Sequence, residues 1–185
     1  MRKLNLNRAS KQDILNASLC ELDISFETSA YAHAIDKLYS ELNQKKLLVR
    51  PRVWLSDEWF CPESISGIAI PFSLAHSKLI SLEKSFLGSI EGETSDHFMK
   101  LMRHECGHVM DNAYFLKDDA LRVSEFGNHN DKYPSNYSPK IFSKNYVYHL
   151  EEHYAQAHPE EDFAETFDLI LSRFGVMFFD DPIEA

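Results

Sequence analysis

The chain has 185 residues, 44% of them hydrophobic and 12% aromatic, and a formal net charge of −10. That length suits one domain burying about 70% of its unfolded surface, so a single domain over 1–185 is expected, with a helical region at 1–46 and a core at 50–175. The acidic balance argues against nucleic acid and anionic membrane as default partners, since both reward clustered Lys and Arg.

Cys20, Cys61 and Cys106 are odd in number and irregularly spaced, so they form neither a disulfide framework nor a CxxC metal knuckle. A reducing compartment follows. No apolar run of signal-peptide length follows the basic N-terminus, and no stretch approaches ~18 apolar residues. The cytoplasm is the expected location, with signal-independent export and oligomeric state left open.

From Ser29 to Lys46, Tyr31, Ala34, Ile35, Leu38, Tyr39 and Leu42 keep helical spacing without Gly or Pro, which predicts a helix. Three strand-like runs follow: Arg52 to Leu55, Gly67 to Phe72 and Lys78 to Leu82. Pro71 lacks an amide donor, so the middle run belongs at an edge or ends there. Thr94 or Ser95 then caps a second helix reaching about Phe115, with Asp96 in its first turn. On it Phe98, Met99, Met102, Cys106, Val109, Met110 and Ala113 form an apolar stripe, while His97, His104, His108 and Asp111 share the opposite face within about 60°.

Inside that helix lies His104-Glu105-Cys106-Gly107-His108. Residues i and i+4 share a face, roughly 6 Å apart, so both imidazoles can turn a nitrogen onto one metal. Glu105 is rotated about 100° out of that ligand set, where its carboxylate can deprotonate a water that zinc activates for attack on a carbonyl. A chance match in a chain of this composition has an expectation of roughly 0.04, so the pattern needs a third ligand elsewhere. His97 is two turns from His104, roughly 10 Å along the axis, too far to supply it.

From Gly127 to Lys144 the sequence is rich in Asn, Pro, Ser and Tyr and reads as a long loop. Tyr133, Tyr137, Phe142, Tyr146 and Tyr148 offer anchors that would pack it down as a cleft wall. The next helix opens at Pro159, carries acids in its first turn and ends near Gly175. Phe163, Phe167, Ile170 and Phe174 form its apolar stripe, with Glu161, Glu165 and Asp168 on the other side.

A catalytic zinc takes three protein ligands, and two His plus one Glu is a standard set. Glu161 is the candidate third ligand, with His158 competing from the helix start. Glu165 or Asp111 would accept a hydrogen bond from a ligating imidazole and fix its tautomer. Each of these acids also fits a solvated helix face. An HExxHxxGxxH site is excluded, because it would need Gly at Asp111 and His at Tyr114.

The HExGH helix, followed by Tyr154-Ala155-Gln156-Ala157-His158-Pro159-Glu160-Glu161-Asp162-Phe163-Ala164-Glu165-Thr166-Phe167, resembles the bacterial putative zinc-binding metallopeptidase family over roughly residues 95–175. More widely it is similar to gluzincins in HExGHxxD and in Tyr-x6-Glu-x3-Glu. That resemblance implies one zinc ion per chain on His104, His108 and Glu161, Glu105 as general base, Glu165 beside a ligand, and Tyr154 steadying the oxyanion. It implies an α+β, zincin-like fold: a small twisted mixed sheet, an edge strand beside the HExxH helix, and a second ligand-bearing helix. Gly67 to Phe72 is the candidate edge, pairing with an extended peptide or protein substrate. A regulatory module with structural zinc, or a zinc hydrolase of another amide or acyl bond, are the alternatives to a peptidase.

Overall fold

The computed structural model describes residues 3–173. Its elements run α1 (Lys11–Asn16), α2 (Ala34–Gln44), β1 (Arg52–Ser56), β2 (Gly67–Pro71), α3 (Ser77–Leu87), α4 (Ser95–Ala113), α5 (Ala120–Phe126) and α6 (Pro159–Arg173), with short 3-10 turns between. The class is α+β. Phe174 and Gly175, expected in and after the last helix, lie outside the described residues.

The core gathers one face of α2, the inner side of the sheet and the apolar stripe of α4. Leu38, Leu42, Ile68, Ile70, Phe98, Met102, Cys106 and Val109 are all fully buried there. Thr94 caps α4, its hydroxyl accepting from the His97 amide at 3.2 Å. Phe98 anchors the first turn, stacking on Tyr31 with centroids 4.2 Å apart and rings parallel to within 1°. The polar side of α4 is not solvated as amphipathic spacing suggests. Arg103, His104, Glu105 and Asp111 are buried with the rest, because α6 covers that side.

The expected sheet shrinks to two parallel strands, Arg52 pairing with Gly67 through Ser56 with Pro71. One antiparallel bridge, Phe60 to Ala69, touches the far side of β2. The run at Lys78 to Leu82 is not a strand but the first half of α3. The His76 ring accepts from the Lys78 amide at 3.1 Å to start the helix, and Leu79 and Leu82, three residues apart, turn onto Leu6, Ile14 and Leu22. Nor is β2 an open edge. All five of its residues are buried, and the Ala69 amide already donates to the Phe60 carbonyl at 2.9 Å.

Helices α4 and α6 meet most closely at Gly107. A Cβ placed there would stand 2.8 Å from Ala164 Cα and 3.2 Å from its Cβ. These are backbone-anchored atoms, so a side chain at 107 forces the helices apart. In an exposed helix Gly→Ala gains about 1 kcal/mol. For Gly107→Ala, overpacking reverses the sign, to an expected loss of about 1–3 kcal/mol, read from denaturant unfolding of the metal-free protein. A gain in stability would contradict the close crossing.

Candidate metal centre

The α4–α6 crossing sets two rows of side chains face to face: His104, Gly107, His108 and Asp111 against Glu161, Ala164, Glu165 and Asp168. Both rows follow the i, i+3, i+4, i+7 spacing of one helix face. The small pair in the middle lets the longer residues converge. His104 Nε2 and His108 Nε2 are 3.2 Å apart, and Glu161 Oε2 lies 3.1 Å from the first and 3.4 Å from the second. Among the described residues this is the one group of three potential ligands whose donor atoms converge within 4.8 Å.

The donor set fits a zinc ion. Ligands at about 2.0–2.1 Å on a tetrahedral zinc are separated from one another by about 3.3 Å, close to all three observed spacings. Glu161 Oε2 is buried and accepts no hydrogen bond of ordinary geometry, an expense that a bound cation removes. His104 Nδ1 lies 3.0 Å from Glu165 Oε1. With its proton on Nδ1, the ring directs the Nε2 lone pair at the triangle. Burial disfavours a charged ring, yet the Glu161 and Glu165 carboxylates outweigh it and push the His104 pKa up to about 10. The pocket is built to attract positive charge.

Glu165 is fully buried, and its second oxygen accepts from the Leu150 amide at 2.7 Å. Leu150 leads into an irregular segment, Glu151–Gln156, in which Glu152 and His153 both have left-handed backbone, φ 60° and 57°. Each such residue costs of order 1–3 kcal/mol. The Tyr137 hydroxyl donating to the Glu152 carbonyl at 3.1 Å helps hold the segment. It delivers Tyr154, whose ring centroid lies 5.8 Å from that of His104. Burial, with Glu161 and Glu105 nearby, raises the Tyr154 pKa and keeps its proton in place.

Glu105 is 7% exposed, and its carboxylate takes no hydrogen bond from another described residue. It points into a cavity of about 850 Å³ shared with His104, His108, Tyr154 and Glu161. Desolvation raises its pKa above that of an ordinary carboxylate. Trp59, Phe60 and Cys61, in the segment that covers β2, also line the cavity.

Two of the expected site residues have other employment. Asp111 does not reach an imidazole; its Oδ2 accepts from Arg122 Nη2 at 2.9 Å, and Arg122 also donates to the Gly127 carbonyl at 3.0 Å. The pair ties α5 and the long loop to α4. His158 is the cap of α6: its Nδ1 accepts from the Glu160 amide at 3.3 Å, while Nε2 donates to the Asp131 carbonyl at 2.8 Å. Both ring nitrogens are thereby used, which leaves none for a metal.

Of the loop aromatics, Tyr133 lies against the site, donating to Glu161 Oε1 at 2.9 Å, and Tyr137 is half-buried. Phe142 is 90% exposed, and Tyr146 and Tyr148 are exposed too, so they do not pin the loop. Sequence spacing does not single out Tyr133 from its neighbours. Gly107 did leave a signal, a helix-interior glycine that propensity alone disfavours by about 1 kcal/mol.

The family described as putative zinc-binding metallo-peptidase matches residues 92–177. The chain is similar to that family over somewhat less than half of its length. The match begins just before α4 and takes in α5, the long loop and α6, so every side chain of the converging triad falls within the matched segment. No curated protein and no solved structure matches the chain. No helix among the described residues is long and apolar enough to cross a membrane.

The Asp111 and Arg122 side chains are 1% and 3% exposed. Asp111→Ala leaves the guanidinium buried without its counter-charge, with an expected cost of about 3–5 kcal/mol in denaturant unfolding. A loss below about 1 kcal/mol, the scale of a surface pair, would contradict a fully desolvated bridge.

Proposed function

We propose that the protein is a zinc-dependent peptidase of gluzincin type on a zincin-like fold, with one zinc ion held by His104, His108 and Glu161. The observation that carries this is the spacing of three donor atoms, 3.1 to 3.4 Å, beside an unpartnered carboxylate in the same cavity. Zinc bound there would polarise the scissile carbonyl and lower the pKa of the attacking water towards ~7.

The remaining steps fall to this chain's own residues. Glu105 takes a proton from the attacking water and, protonated by that transfer, hands it to the departing amine. Tyr154 donates its hydroxyl to the oxygen that gains charge. Glu165 holds the His104 ring in the tautomer that keeps Nε2 free. A peptide lies along the cleft between Trp59 to Cys61 on one wall and Glu151 to Tyr154 on the other, so strand addition uses the segment outside β2 rather than β2 itself. Glu63, Glu91, Glu151 and Glu152 line these walls, and their field favours cationic peptides.

Glu105→Gln is expected to retain zinc while losing about 10²–10⁴-fold in peptide hydrolysis, measured by metal analysis and a peptide-library digest. Loss of zinc, or unchanged turnover, would overturn the role of Glu105. The same digest should return sites flanked by Lys or Arg, with rates that fall as salt is added; enrichment of acidic flanks would contradict the cleft's charge. Glu161→Ala is expected to weaken zinc binding far more than His158→Ala, and the reverse ranking would move the third ligand to His158.

A further inference from the structure

The long loop returns one side chain to the centre. Tyr133 stacks on His158 with ring centroids 3.6 Å apart and planes within 13°. His158 is itself fixed at both nitrogens, one of them by the carbonyl of Asp131, two residues before Tyr133. The ring is clamped, and with it the hydroxyl. That hydroxyl lies 2.9 Å from Glu161 Oε1 and 2.9 Å from Glu160 Oε2. It has one proton to give. Glu160 already has Lys117 Nζ on its other oxygen at 2.5 Å, whereas Glu161 Oε1 has no second donor among the described residues.

Resting on the metal-centre reading above, we propose that Tyr133 is a positioning residue for the zinc ligand: its hydroxyl engages Glu161 Oε1 so that Oε2 alone is presented to the ion. Without it, a carboxylate that is 5% exposed has an unsatisfied oxygen beside a cation. Rotation to offer both oxygens is then the accessible way to satisfy it. The fourth position, where substrate must enter, would be crowded by the ligand itself.

Tyr133→Phe keeps the stack on His158 and removes only the hydroxyl. In the full chain, zinc affinity measured by competition with a chelator should fall about 10-fold. The visible spectrum of the cobalt-loaded variant should weaken, because five-coordinate cobalt absorbs less than four-coordinate cobalt. Metal-free melting should fall by no more than the loss of one hydrogen bond allows, too little to account for the loss of affinity. Tight wild-type binding with unaltered affinity and cobalt spectrum in Tyr133→Phe overturns this proposal alone. A wild type that takes up no zinc overturns the metal-centre reading together with it. An affinity loss matched by lower metal-free melting overturns it in favour of simple loop anchoring.

Discussion

The contact between Gly107 and Ala164 governs the geometry of everything near the site. Because a hydrogen stands where a Cβ would lie 2.8 Å from Ala164 Cα, α4 and α6 approach until side chains just after the contact and one turn before it converge. His108 follows Gly107 directly, and Glu165 follows Ala164. One turn earlier on each helix stand His104 and Glu161. The triangle of donor atoms is thus a by-product of how closely two backbones can pass, and a methyl group in the wrong place would open it.

Close approach alone would bury like charges at great expense, so the acids between the helices are given specific partners. Glu165 divides its two oxygens between His104 and the Leu150 amide. Asp111 is neutralised by Arg122. Asp168 pairs with His149 and lies 3.9 Å from Arg103, whose guanidinium makes two bonds to Glu41 at 2.7 and 2.8 Å. Asp111 Oδ1 and both Asp168 oxygens also lack hydrogen bonds of ordinary geometry, but of these buried acids only Glu161 and Glu105 face the cavity. One has a buried oxygen without a hydrogen bond and the other a carboxylate without any partner, and both face the same cavity. Unsatisfied acids collected in one place mark where chemistry is invested.

Much of this was legible in the sequence, for identifiable reasons. Helical periodicity located α4 and α6 and put His104 with His108 and Glu161 with Glu165, because i, i+4 neighbours must share a face. The two real strands were visible as short strand-like runs separated by turn-forming residues. The apolar residues of α3 looked like a third, since five residues carry too little period to separate strand from helix. What failed more broadly was the assumption that a polar face is a wet face. It made Asp111 a candidate to hold an imidazole, whereas in the buried interior its carboxylate meets Arg122, a residue eleven positions on with nothing in its spacing to announce the pairing. Tyr133 was hidden for a related reason: loops have no period, and the hydroxyl that meets Glu161 is one of several in a tyrosine-rich stretch.

The central claim is that one cation sits among His104 Nε2, His108 Nε2 and Glu161 Oε2, in the gap opened by Gly107. Anomalous diffraction from crystals of the zinc-loaded protein, recorded on both sides of the zinc edge, tests it most directly. The account predicts a single strong peak about 2.0–2.1 Å from each of these three atoms, with Glu105 outside bonding distance. A peak on another set of side chains, such as one including Cys61, or ligation that omits Glu161, would contradict it.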